Sequence, residues 1–399
     1  MNTGSGSMRM GRKRFESFLE QVYSPLLILF HAVGMDTLPC PKFFRKQKLC
    51  KFLWNSPRYI FNFALLFVLV AQVALVLLLP LKKRELASLF VIILQISAHI
   101  FMLRFNECIR GLLKKMSKIL KMLNCHNRRK VFENPIYAYC LYSTVSSIGF
   151  ITVYLISNMR IQIHGYIRHT TDISEEYKEF CIFLLEIRNV LTVSLLLGLS
   201  VSSSGYYGFI CYHIYLLLSE FSSKSINLIV ISDYETILKI YLDISQVIVS
   251  VDDFLSYPTF INVLADMGGL FWACYVIIFD SKDDYLFYLY FVAAAFTYAL
   301  WLLMVMLPAA SANKAIEVAR NFVLSLPGWF PHHQKVLKKY IKMEIKHNNL
   351  SLTLWKIYKI DNSLLISSIG TLVSYGIIVG TLGTVQSSSS APVNETAIG

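Results

Sequence analysis

Charge is what this chain has least of: Asp, Glu, Lys and Arg together make 16% of its 399 residues, against about 25% in a soluble globular domain. Paired cysteine spacing is missing too. The eight cysteines contain no CxxC, which speaks against both a zinc site and a disulfide framework. No HExxH, GxSxG or phosphate-cradling Gly-rich loop occurs, so nothing supports an enzyme, and neither a cofactor nor a metal is expected. His332, His333 and His347 make no metal set, because adjacent residues leave different sides of a helix; they read as solvated side chains. The basic cluster Arg9, Arg12, Lys13 and Arg14 is followed by no cleavable apolar segment, so no signal peptide is expected. No internal repeat is evident, and with it goes the inverted symmetry of many transporters.

What is abundant is apolar length. Hydrophobic residues make 55% of the chain, and seven runs reach the roughly 20 residues that cross a bilayer core. They lie at 59–80, 86–104, 136–156, 183–215, 258–279, 285–307 and 363–385. Continuous runs of this length exclude barrel staves, so the expected fold is all-α, a polytopic membrane protein with seven transmembrane helices. A shorter run at 23–35 is expected to be interfacial or re-entrant. The formal net charge of +13 resolves into a loop asymmetry and implies no nucleic-acid partner. Alternate inter-span regions hold 30 of the 38 Lys and Arg and the opposite set seven, which puts the N-terminus inside and the C-terminus outside. The sequon at Asn394 falls on the side where glycosylation is possible. A G-protein-coupled receptor has the reverse orientation, and the chain lacks DRY-like and NPxxY-like span ends.

Three constellations stand out. In the last run Ser367, Thr371, Ser374, Ile378, Thr381 and Val385 recur at steps of four and three, making one helix stripe rich in hydroxyls. Such a stripe either packs helices together, as Gly376 and Gly380 beside it also would, or lines an uncharged conduit with Ile378 and Val385 as apolar constrictions. Asp266 is an ionisable residue within the fifth run, read as a structural hydrogen bond or a coupling site. Glu186 and Arg188 near the start of the fourth run are read either as interfacial residues or, with the aromatics below, as part of the ligand pocket. Aromatics gather in the fifth and sixth runs: Trp272, Tyr275, Tyr288, Tyr298 and Trp301. An interfacial belt accounts for some of them, whereas Tyr298 and Trp301 sit too deep for one and fit the wall of an outward-opening ligand pocket.

The terminal stretch LTLWKIYKIDNSLLISSIGTLVSYGIIVGTLG resembles the C-terminal signature of the arthropod gustatory receptor family, which is related to insect odorant receptors. That signature is a Thr-Tyr pair, five apolar residues and Gln-Phe; here Ser374-Tyr375, GIIVG and Thr381-Leu382 stand in those places. YSPLLILFHAVGMDTLPCP at 23–41 resembles the family's N-terminal entry segment. The resemblance implies a ligand-gated, non-selective cation channel in the plasma membrane of chemosensory neurons. Four identical subunits would surround a pore lined by the seventh helix, opened by a small-molecule tastant. Thr381 and Leu382 would then sit at the constriction with Tyr375 as the packing aromatic. The chain would divide into a cytoplasmic N-terminal region (1–58), transmembrane helices one to four (59–217), cytoplasmic anchor helices (218–257), transmembrane helices five and six (258–307), further anchor helices (308–361), the pore helix (362–385) and an extracellular tail (386–399). Cations and membrane lipid would be its other partners. A secondary transporter using Asp266 and a non-channel seven-helix receptor are the alternatives.

Overall fold

The computed structural model describes residues 22–35, 48–78, 82–123, 129–156, 175–231, 233–279, 285–326, 350–368, 370–371 and 374. Eight helices appear in chain order: α1 Ser24–Ala32, α2 Lys48–Leu78, α3 Lys82–Arg104, α4 Asn106–Met122, α5 Arg129–Ile156, α6 Glu175–Val230, α7 Tyr234–Phe279 and α8 Tyr285–Ser325. A two-stranded antiparallel hairpin follows, β1 Thr353–Leu354 and β2 Tyr358–Lys359, and a last helical stretch begins at 362. Among the described residues five helices are long and apolar enough to cross a membrane, and α3 with α4 makes a sixth as a pair bent by 60°. Six of the seven apolar runs therefore fall on described helices. The seventh is described only at its start; Tyr375, Ile378, Thr381, Leu382, Val385 and Asn394 lie outside the described residues, as do His332, His333 and His347.

Three helices are far longer than a span needs. At 1.5 Å per residue, the 56 residues of α6 reach roughly 84 Å and the 46 of α7 roughly 69 Å, against a hydrocarbon core of about 30 Å. Their extensions pack together around Leu217, Phe221, Ile244, Val247 and Val251, with Ala309, Ala312, Ile316 and Ala319 of α8 closing one face at steps of three and four. Burying each such Ile, Val or Leu outside the bilayer contributes about 1.5–3 kcal/mol. Pro258 in α7 and Pro308 in α8 stand at the ends of the apolar runs, where span passes into extension. Each removes one ladder hydrogen bond and loosens the helix at that level. Between the spans, α6 and α8 approach until a Cβ on Gly208 would strike the Met304 carbonyl, so this crossing needs glycine.

Two expectations are refined. The run at 23–35, expected to be interfacial or re-entrant, forms α1, inserted among α2, α5 and α6 with Tyr23, Leu26 and Phe30 fully buried and Ile28 left exposed at 55%. Tyr23 OH meets His213 Nδ1 at 2.7 Å, and the same nitrogen lies 2.7 Å from the Phe209 carbonyl. A carbonyl only accepts, so Nδ1 carries the proton and shares it. The second change is at 350–361, read from the sequence as the end of the anchor helices, which folds as the hairpin. Helix α4 is a stripe of its own kind: Ile109, Leu112, Met116 and Ile119 are buried against the bundle while Lys114, Lys115, Lys118 and Lys121 face out.

Candidate ligand site and the hairpin before the last helix

Trp301 is buried to 2% exposure in the middle of α8. Around it Phe150 of α5, Leu197 and Val201 of α6, Ala273 and Val276 of α7, and Phe291 form one apolar cluster. Four helices thus converge on a single indole. Tyr298, one turn away, meets it edge-on with centroids 5.7 Å apart, and Phe150 meets Tyr290 edge-on at 5.5 Å. Tyr298 is pressed against Gly269 of α7 so closely that a Cβ there would overlap its ring. Trp272 and Tyr275 stack at 5.9 Å, Tyr275 on the cluster and Trp272 facing away from it, half exposed.

The sequence-predicted pocket residues therefore divide. Tyr275, Tyr298 and Trp301 come together, with Trp272 joined through its stack. Tyr288 is not in the cluster, and Glu186 and Arg188 stand near the start of α6. Arg188 is 6% exposed, so an exposed interfacial position does not describe it. Phe150 and Phe291 were not singled out from the sequence, because a Phe within an apolar run carries no signal of direction; Tyr290, read from the sequence as part of an interfacial belt, packs against the cluster.

A polar seam runs beside this cluster. Asn262 of α7 donates to Ser203 Oγ of α6, which donates in turn to the Leu199 carbonyl. One turn further along α7, Asp266 is 1% exposed and neither carboxyl oxygen has a hydrogen-bond partner among the described residues. The expected structural hydrogen bond of Asp266 is thus not made. Tyr139 and Tyr298 lie within its electrostatic reach, although the Tyr139 hydroxyl is spent on the Val201 carbonyl at 2.8 Å. A buried polar group left unpaired costs about 1–3 kcal/mol and more if charged, so Asp266 is a site of function or of strain.

Below the spans, the hairpin is fastened from two sides. Asn313 of α8 donates through Nδ2 to the carbonyls of Leu352 and Ile360 (2.9 and 2.7 Å) and accepts the Leu352 N–H at 2.7 Å, so one amide closes both strand ends. From α7, Asp252 accepts the Thr353 N–H and hydroxyl at 2.7 and 2.8 Å, and Asp253 accepts from Lys356 Nζ at 2.6 Å. The Asp253 carboxylate raises the Lys356 ammonium pKa above its ordinary value. The turn itself is strained: Trp355 and Lys356 have φ of 51° and 57°, a region that costs a residue with a side chain about 1 kcal/mol or more. Its cost is offset by the Trp355 indole against Phe260 at 5.3 Å and Tyr257 at 5.7 Å.

The hairpin leads straight into the last helix. Asp361 caps it, accepting the Leu364 N–H and the Ser363 hydroxyl, each at 2.8 Å. Those two bonds, the backbone one first, hold the Asp361 carboxyl below the usual carboxylate range. A lowered folded pKa means stability that is complete above the unfolded pKa of about 4 and lost as pH falls through the folded value. The start of the last helix should therefore keep a constant amide protection factor, relative to the intrinsic exchange rate, from pH 8 to 5, and Asp361→Ala should loosen it throughout that range by about 1 kcal/mol or less. Equal exchange in the variant and the parent chain would refute the cap. Further along, Ser368, Thr371 and Ser374 donate to carbonyls four residues back at 2.7–2.9 Å. Hydroxyls bonded within their own helix do not require a polar neighbour, so the stripe alone does not fix which way it faces. Ser367, Thr371 and Ser374 are exposed on the single chain, as is Ile366 at 71%.

Comparison with known proteins places the arrangement. A family model described as 7tm Chemosensory receptor matches residues 86–379. The insect olfactory receptor OR5 from Machilis hrabei has a similar fold: TM-score 0.62 at 10% identity, over 91% of this chain and 98% of that one. The same receptor in complex with eugenol aligns with TM-score 0.54 at 9% identity, over 93% and 99%. No curated protein matches the sequence. With a family model spanning everything from α3 into the last helix, the chain belongs to the 7tm chemosensory receptor family of insects.

Proposed function

We propose that this protein is a chemosensory receptor of the gustatory kind that acts as a ligand-gated, non-selective cation channel. A small tastant binds at the Trp301 cluster, and a homotetramer in the plasma membrane of chemosensory neurons surrounds a pore made by the last helix. One observation carries the reading most directly: α7 and α8 supply both the aromatic cluster and the clamps on the hairpin that begins the last helix. A shift of either helix on ligand binding is thereby passed to that helix through rigid parts. The exposed flanks of the last helix in one chain support a role for other copies in covering it. The eugenol complex of the Machilis receptor supports a small-molecule ligand here. Ser374, Ile378, Thr381, Leu382 and Val385 are the proposed pore residues.

Expression in a cell line with whole-cell recording against a panel of small organic compounds tests this. Ligand-evoked cation current altered by Thr381 and Leu382 substitutions is the expected result, and a stable monomer in mild detergent would count decisively against it. The unpaired Asp266 carboxyl favours a second reading, a secondary transporter. That reading requires substrate uptake abolished by Asp266→Asn, whereas a channel keeps its current in that variant with a shifted dose response.

A further inference from the structure

At the end of α3, beside the hairpin, a groove of about 600 Å³ opens between α3, α7 and the turn of Trp355. Its lining is mixed, and the apolar part is uncovered: Ile100 is 48% exposed and Trp355 49%, with Phe101 set against Tyr257 at 5.2 Å between them. Most of its polar groups are already committed. Ser97 donates to the Leu94 carbonyl and so accepts the Tyr257 hydroxyl at 2.8 Å. Asp253, the groove's carboxylate, is occupied by Lys356. What remains is Arg104, exposed and without a partner among the described residues.

The location narrows what such a groove would take. Arg104 ends an apolar run, and directly after it the chain bends by 60° into α4 with its outward lysines. On the positive-inside orientation this is the cytoplasmic edge of the bilayer, where anionic headgroups concentrate. A planar guanidinium favours a phosphate through two parallel hydrogen bonds, and the exposed aromatic and aliphatic walls favour a hydrocarbon chain. Arg104 also complements the C-terminal dipole of α3, but that role needs no groove and no exposed Trp355.

We propose that this groove is a binding site for an anionic phospholipid, its phosphate on Arg104 and the first part of its acyl chain along Ile100, Phe101 and Trp355. Because Trp355 belongs to the strained turn that precedes the last helix, an occupied groove holds that turn against α7. The lipid is therefore a regulator of the last helix, acting from a site separate from the Trp301 cluster.

A melting measurement on the purified full chain in mild detergent tests this, with dioctanoyl phosphatidic acid, dioctanoyl phosphatidylcholine and inorganic phosphate added separately. Phosphatidic acid should raise the melting temperature saturably by about 2–4 °C, and the other two should not. Arg104→Ala should raise the half-saturating concentration at least tenfold, Arg104→Lys less, and Trp355→Ala should abolish the shift. Arg104 is exposed, so its variants are expected to fold. An equal shift with phosphatidylcholine would mean a generic amphiphile effect, and an equal shift with inorganic phosphate a free-anion site; either overturns the proposal. So does a shift that ignores Arg104→Ala, or no shift at all, as when a second copy of the chain covers the groove. The readout is binding alone, so its failure leaves the channel reading to be judged by recordings.

Discussion

Replacing Asn313 with alanine should lower the melting temperature of the purified receptor by about 4–6 °C and abolish ligand-evoked current. The side chain makes three hydrogen bonds, to Leu352 N–H, the Leu352 carbonyl and the Ile360 carbonyl, from a position buried among apolar neighbours. Each backbone group left unpaired costs about 1–3 kcal/mol, and the three act as a unit, so a net loss of about 3–5 kcal/mol is expected. Among the described residues, no other side chain bonds both strand ends to α8. Asn313→Asp is the informative second variant. Its carboxylate still accepts the Leu352 N–H but sets negative oxygens against two carbonyls, whereas the protonated acid donates to one of them. That raises the folded pKa, so the variant's stability should be better at pH 5 than at pH 7.5 and fall as pH rises. Heating followed by size-exclusion detection reads both. An Asn313→Ala protein that melts with the parent would remove the clamp from the account.

Trp301→Ala should weaken ligand potency by at least tenfold while the assembled size of the protein is unchanged. The indole is the largest side chain buried in a cluster built from α5, α6, α7 and its own α8, so its removal alters the packing of that cluster. Trp→Ala in a protein interior costs about 3–5 kcal/mol, part of which the neighbours recover by closing in. Trp301→Phe keeps most of the apolar volume and should retain most of the response. Tyr298→Phe, which removes a single hydroxyl, serves if the alanine variant does not reach the surface. A dose response identical to the parent chain in all three would place the ligand elsewhere.

Apolar length was enough to find the five described helices that are long and apolar enough to cross a membrane, and the α3 half of the bent pair, since in hydrocarbon a helix is the only open-ended way to satisfy the backbone. It was enough, too, to find Tyr298 and Trp301, because large amphipathic rings deep in a span are out of place in a belt. What it missed has local causes. The hairpin turns on Trp355 and Lys356 in left-handed conformation, and no turn rule anticipates a bulky pair where Asn-Gly is usual. Its stability comes from Asp252 and Asn313, which are 101 and 39 residues away from it in sequence. Phe150 and Phe291 were hidden among equally apolar neighbours, and the burial of α1 depended on partners far along the chain. Of the hydroxyl stripe only Ser367, Thr371 and Ser374 are described; Thr371 and Ser374, like Ser368 beside them, bond to their own helix, a possibility that spacing does not reveal.

The burial of α1 has a consequence for how the receptor is made. Tyr23 finds His213, 190 residues later in the chain, as its partner. At a synthesis rate of about 5–20 residues per second, the first helix emerges roughly 10–40 s before the residues that will enclose it. Through that interval an apolar segment must wait, at the membrane surface or on a chaperone, until α5 and α6 have been inserted around its place. The closing of the bundle is then completed by α1, made before the helices that enclose it. A substitution that lowers the apolar character of α1, such as Leu26→Asp, consequently interferes with that closing step of maturation.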